Sequence, residues 1–163
     1  MANETFVPRA GAVFSADIAV PEHERELRFY SRVLGTGDTP LWRDDLMNSH
    51  GTPIIGLGEM SAAHAHLPRQ WMPHIQVADV AASVQRAIER GGTVLMHRKD
   101  EGGNSQWAVL QDSNGAAFGL IPVVDASATS SDDQGAAGRI AWLDLTVADA
   151  SATREFYRQV VGW

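Results

Sequence analysis

The feature that most constrains this chain is a repeat. Residues 14–20 read as a strand, Pro21 breaks it, and residues 22–34 read as a helix that Gly35 stops. The same signature returns 127 residues later without a gap. Asp17, Val20, Phe29, Tyr30, Val33 and Gly35 reappear as Asp144, Val147, Phe156, Tyr157, Val160 and Gly162. A half-copy lies between them, where Ile75, Val77 and Asp79 precede a helix that ends at Gly91 and Gly92. Three strand–helix starts in 163 residues make the chain modular, so the fold is set by the unit and by how units are joined.

The unit can be followed along the chain. The first strand places Phe14, Ala16, Ile18 and Val20 on one face, and Ser15, Asp17 and Ala19 on the other. Its helix carries Glu22, Glu24 and Glu26 in the first turn, where they suit the helix dipole. Leu27, Tyr30 and Leu34 form an apolar stripe with Phe29 and Val33 beside it. Residues 41–49 suggest two short strands around a turn at Asp44 and Asp45, and residues 54–57 a buried strand. A connector over 59–68 leads to a strand at 70–77. Asp79 then caps a helix whose Val80, Val84, Ala87 and Ile88 share one face. Strands follow at 93–97, 106–111 and 116–123, the last two joined by a turn over Asp112, Ser113, Asn114 and Gly115.

The order is therefore βαβββ twice, then a polar Ala/Ser/Asp/Gly linker over 125–138, then a third strand–helix start at 139–163. This is not the strict alternation of a parallel doubly wound fold. It predicts an α+β architecture: paired βαβββ modules in a mostly antiparallel, cup-like sheet with helices on the outside. Residues 1–11 read as a flexible arm and 12–124 as one domain, with modules at about 12–59 and 70–124. Residues 139–163 read as the start of a second domain. Their Trp142, Leu143, Leu145, Phe156 and Tyr157 need a partner surface. Packing on the first domain or on a second copy, as a homodimer, by pairing with a sheet edge is expected.

Charge and composition remove several function classes. The formal net charge is −7 with no basic cluster, which argues against nucleic acid and against anionic membrane surfaces. No apolar run approaches the roughly 20 residues that span a bilayer, and no signal-peptide pattern opens the chain. There is no cysteine, hence no disulfide and no thiolate nucleophile, which fits a cytoplasmic protein. A phosphate-binding glycine loop and a serine elbow are also missing.

The modules resemble the vicinal-oxygen-chelate superfamily, which includes glyoxalase I, bleomycin-resistance proteins and extradiol dioxygenases. The carrying residues are Phe29-Tyr30-Ser31-Arg32-Val33-Leu34-Gly35, Val77-Ala78-Asp79 with its helix to Gly92, and the stretch from Trp107 to Leu120 around the Asp112–Gly115 turn. Ser113 stands where proline is usual in that turn. Within the superfamily the chain is most similar to tandem two-domain bacterial proteins of glyoxalase-like or hydroxylase-like type, with the second domain shortened. The resemblance implies a cup between modules that takes a small organic molecule.

It also implies four metal-ligand positions. Two lie on the first strand of each module, at Asp17 and His74. Two lie on the last strands, at Gly56 and Gly119, where a carboxylate is expected. Two donors do not make a catalytic metal site, which takes about three. Glu59 is near but stands three residues past Gly56, a displacement that turns it to the other face of a regular strand. The expectation is therefore a small-molecule-binding protein without a resident cofactor and with a divalent metal disfavoured. The alternative is an enzyme of lyase, isomerase or dioxygenase type. It would use Asp17 and His74 in acid–base work, or hold a metal with Glu59 or with residues of another chain. Trp42, Met47, Glu59, Trp71 and Trp107 are the candidate ligand-contacting residues. His64 and His66, two apart in the connector, have a spacing that can clip a metal but read as exposed loop residues.

Overall fold

The βαβββ unit occurs twice. β1 (Val13–Val20), α1 (His23–Leu34), β2 (Leu41–Arg43), β3 (Leu46–Ser49) and β4 (Thr52–Glu59) form the first copy. β5 (Met72–Val77), α2 (Val80–Glu89), β6 (Thr93–Lys99), β7 (Ser105–Gln111) and β8 (Ala117–Pro122) form the second, and α3 (Ala150–Val161) follows. These elements belong to a computed structural model that describes residues 9–34, 41–43, 46–49, 52–124, 140 and 142–163. For 41–43, 46–49, 52 and 53 it describes the backbone alone. The linker expected at 125–138 and residues 1–8 of the expected arm lie outside the described residues.

All described strands join one eight-stranded sheet in the order β2-β3-β4-β1-β5-β8-β7-β6. β1 runs parallel to β4, and β5 parallel to β8; every other junction is antiparallel. Each module thus lays its first strand beside its own last strand, and the two first strands meet at the centre. The mostly antiparallel α+β sheet is the one the element order predicts.

Strand alternation sorts side chains to two sides. On one side, α1 sets Leu27, Tyr30 and Leu34 against Ile18, Val20, Ile55 and Leu57. α2 sets Val80, Val84 and Ala87 against Ile75, Val77, Leu110, Phe118 and Leu120. Asp79 caps α2, its Oδ1 accepting from the Ala82 amide at 2.9 Å. The other side, which carries no helix, receives Ser15, Asp17, Met72, His74 and Gln76 from the two central strands. Trp107 and Val109 of β7 pack there beside Met72 and Ala117.

The C-terminal region departs from expectation. Residues 142–147 repeat the sequence of β1 but are not a strand, and Trp142, Leu143 and Leu145 are exposed. β1 has β4 on one side and β5 on the other to complete its ladder. The third start has no strand partner among the described residues, and an extended segment without a ladder is not a strand. Nor do the described residues of this region pair with a sheet edge. Instead α3 docks on the helix-bearing side next to α2, burying Phe156, Tyr157, Val160 and Val161 in the core of the second module. Each of these side chains contributes roughly 1.5–3 kcal/mol by leaving water.

Polar contacts fix that docking. Asp112 closes the β7–β8 turn by accepting from the Asn114 and Ala116 amides, at 2.8 and 2.9 Å. Its Oδ2 accepts from the Tyr157 hydroxyl of α3 at 3.3 Å, and Asn114 donates to Thr153 Oγ1 at 3.1 Å. Trp163 stacks on Tyr157 and donates to the Gly11 carbonyl at 2.6 Å. Gly11 in turn donates to the Gln76 carbonyl, so the arm is tied to the sheet at its end.

Candidate functional site

Asp17 and His74 come together on the helix-free side. In the β1–β5 register Ser15 is opposite His74 and Asp17 is opposite Met72, so the acid and the histidine are diagonal neighbours. Asp17 Oδ2 lies 3.2 Å from His74 Nδ1. The same nitrogen is 3.1 Å from the Met72 carbonyl oxygen. A carbonyl can only accept, so Nδ1 carries the hydrogen and Nε2 holds the lone pair of the neutral ring. Both side chains keep contact with solvent, at 26 % exposure for Asp17 and 14 % for His74.

The outer neighbouring strands explain the room that the two side chains have. Asp17 is in register with Gly56 on β4, and His74 with Gly119 on β8. A β-carbon on Gly56 would stand against the Asp17 carboxyl group, with Oδ1 at 2.6 Å and Oδ2 at 2.7 Å. One on Gly119 would overlap the His74 imidazole at Cδ2 and Nε2 and come within 2.6 Å of Cγ. Each functional side chain therefore lies across a strand position left empty by glycine.

Three polar atoms around the pair have no hydrogen-bond partner among the described residues: Ser15 Oγ, Asp17 Oδ1 and Gln76 Nε2, all buried. Gln76 uses its other end, Oε1, to accept from the Val124 amide at 2.9 Å. Leaving a buried donor or acceptor unpaired costs about 1–3 kcal/mol. Sequence reasoning missed Gln76. Its signal was a glutamine two residues from His74, on the same face of a strand that is otherwise apolar towards its centre.

The remaining candidates do not gather at one place. Trp107 is on the helix-free side, in the cluster of Met72 and Val109. Trp71 stands edge-on to Tyr30 of α1, 5.5 Å between ring centres. It lines a cavity of about 490 Å³ between the sheet and the C-terminal region, together with Ile75, Leu143, Leu145, Tyr157 and Trp163. Glu59 is exposed and in register with Val20, three positions past the Asp17–Gly56 pair and thus on the opposite face. The side chains of Trp42 and Met47 lie outside the described residues. His64 Nδ1 faces Ser61 and the Glu59 carbonyl, whereas His66 Nε2 faces the Leu95 carbonyl, so the two do not share a ligand.

The α+β fold agrees with what comparison with known proteins finds. The glyoxalase-like domain family matches residues 14–121. The chain belongs to that family. The glyoxalase-like chain is 26 % identical over 162 residues to the protein named putative glyoxylase CFP32 of Mycobacterium tuberculosis, covering 94 % of this chain and 61 % of that protein. It is 31 % identical over 108 residues to the anthracycline biosynthesis protein DauV of a Streptomyces species, covering 64 % of this chain and 38 % of DauV. The chain thus spans less than two thirds of the length of either relative. A variant of 4-hydroxymandelate synthase from Streptomyces coelicolor has a similar fold, with a TM-score of 0.54 at 16 % identity, covering 96 % of this chain and 53 % of that one.

The metal that the superfamily implies does not fit these residues. Asp17 and His74 are turned towards each other, and Gly56 and Gly119 bring no donor. No group of three or more histidine, aspartate or glutamate residues is placed to hold an ion among the described residues. An open divalent site needs about three protein donors, one more than the pair supplies. No described helix is long and apolar enough to cross a membrane.

Proposed function

We propose that this glyoxalase-like protein binds a small organic molecule on the helix-free side of its sheet, with the Asp17–His74 pair as the polar anchor and without a metal ion. The observation that carries this reading is the pair itself, lying over two glycines where a metal site would need donors. Trp107 and Met72 supply apolar surface on the same side, and unpaired polar atoms border the pair. A mostly apolar surface with a few fixed polar groups is the usual make-up of a small-ligand site. We place the protein in the cytoplasm, where a chain without cysteine gives up nothing in a reducing environment.

An enzymatic second reading is favoured by one detail. His74 Nδ1 is held by a carboxylate and a carbonyl, which leaves Nε2 as the basic ring nitrogen, the arrangement an acid–base histidine needs. In this reading Nε2 takes a proton from the bound molecule, and Asp17 stabilises the imidazolium that forms.

The two parts of the proposal are separable by measurement. Elemental analysis of the purified protein is expected to show no stoichiometric metal, and Zn²⁺, Mn²⁺ or Fe²⁺ to give no thermal shift that His74→Ala removes. A stoichiometric ion lost in His74→Ala sinks the metal-free reading. A screen of small aromatic and hydroxy acids by amide chemical shift is expected to produce hits whose shifts centre on Asp17, His74 and Trp107. Hits confined to the helix-bearing side would refute the assigned site.

A further inference from the structure

Glycine in the middle of a strand weakens it and needs a reason. Backbone conformation is not the reason at Gly56 or Gly119, because neither is among the glycines with positive φ. Space is. At both positions the volume of the missing side chain is filled by a polar side chain from the parallel neighbour: the Asp17 carboxylate over Gly56, the His74 imidazole over Gly119. The two positions are equivalent in the two modules, each being the register partner of the central-strand residue on the same side of the sheet. The two vacancies flank the pair, Gly56 on β4 outside β1 and Gly119 on β8 outside β5, and each gives one member the room to lie along the sheet in the place where a β-carbon would otherwise stand.

We infer that Gly56 and Gly119 are positioning residues whose absent side chains leave the room that Asp17 and His74 occupy as a metal-free pair with a single ring tautomer, and that the pair selects ligands that donate a hydroxyl or N–H hydrogen to His74 Nε2. The tautomer follows from the contacts of Nδ1 with Asp17 Oδ2 and the Met72 carbonyl, which leave Nε2 as acceptor. Nε2 has no hydrogen-bond partner among the described residues. A carbonyl or ether oxygen arriving there meets a lone pair; a hydroxyl meets an acceptor. The ligand part of this inference rests on the proposed binding function, whereas the positioning part does not.

A double-mutant cycle tests the positioning without any ligand. Gly119→Ala is expected to lower the unfolding midpoint of the full chain, and to leave it nearly unchanged when made in His74→Ala, where the ring is no longer there to collide. Gly56→Ala is expected to behave likewise against Asp17→Ala. Should Gly119→Ala fail to fold, the His74→Ala/Gly119→Ala double variant is expected to fold. An equal penalty in both backgrounds, or a double variant that also fails to fold while His74→Ala folds, overturns the role of the glycine. Nitrogen-15 spectra of the histidine rings add a readout that a packing role alone does not move. Wild type is expected to show His74 with protonated Nδ1 and bare Nε2, and Gly56→Ala a mixture of tautomers; a mixture already present in wild type contradicts the single tautomer. Phenol and its methyl ether, anisole, test the ligand class. Phenol is expected to shift the His74 Nε2 resonance and anisole not to; equal shifts, or none with either, refute selection for a hydrogen donor and leave the cycle standing.

Discussion

Asp112 shows how much of the fold can hang on one residue. It closes the β7–β8 turn through two backbone amides and also receives the Tyr157 hydroxyl from α3. Its side chain is buried and also accepts from the Asn114 side-chain amide, so truncation removes the acceptor of four donors. Asp112→Ala is expected to cost about 2–4 kcal/mol in urea unfolding, against about 1 kcal/mol for Tyr157→Phe, which removes one neutral donor. Tyr157 carries a pH signature as well. Burial first, and then the charge of Asp112, push its phenol well above the ordinary tyrosine range. Burial and Glu26 raise Tyr30, the one other tyrosine. The unfolded chain ionises these phenols at about pH 10 and the folded chain later, so the unfolded state holds fewer protons above that pH. Stability is therefore complete below about pH 10 and falls as pH rises further. Ultraviolet titration is expected to show less phenolate at pH 10 in the folded protein than in the unfolded chain, and Tyr157→Phe to flatten the alkaline decline of the unfolding midpoint.

Two helices of the same signature have opposite fates. Phe29 and Val33 of α1 correspond to Phe156 and Val160 of α3 by the repeat. Phe156 and Val160 are 4 % and 0 % exposed, whereas Phe29 and Val33 are 55 % and 62 % exposed. α3 is held between the sheet and α2, with Phe156 edge-on to Phe118. α1 packs on its own strands through Leu27, Tyr30 and Leu34, with Trp71 edge-on to Tyr30. Phe156→Ala is accordingly expected to cost about 3–5 kcal/mol and Phe29→Ala less than about 1 kcal/mol, measured by the same denaturant unfolding. A comparable loss for both would mean that α1 is covered in solution. The repeat makes both legible as amphipathic helices. It cannot say which one finds a neighbour, because that depends on what lies beside the helix in space.

At the scale of the molecule, the C-terminal helix is part of the first domain's core rather than an appendage. Its four buried apolar side chains share one cluster with β5, β7, β8 and α2. Deleting residues 140–163 is expected to lower the unfolding midpoint and to raise binding of an apolar dye, because Ile75 and Phe118, fully buried in the intact chain, lose part of their cover. An unchanged midpoint would show that α3 contributes nothing to this core.

By itself the sequence determined the modules. Hydrophobic period, the Asp79 cap and the Asp112 turn are local signals, and each became the expected element because backbone geometry and side-chain alternation are local physics. The family resemblance marked Asp17, His74, Gly56 and Gly119 as matching positions. Tertiary structure alone decided what those positions mean. A glycine in a sequence reads as a lost ligand, but in the sheet it is the space into which a neighbouring side chain folds. Whether residues 142–147 become a strand was likewise not theirs to settle, since a ladder needs a second backbone. Trp71 and Trp107, alike on paper, went to opposite sides of the sheet. The pairing of Asp17 with His74 depends on strands far apart in the chain meeting in one particular register, and that register exists only once the whole sheet has formed.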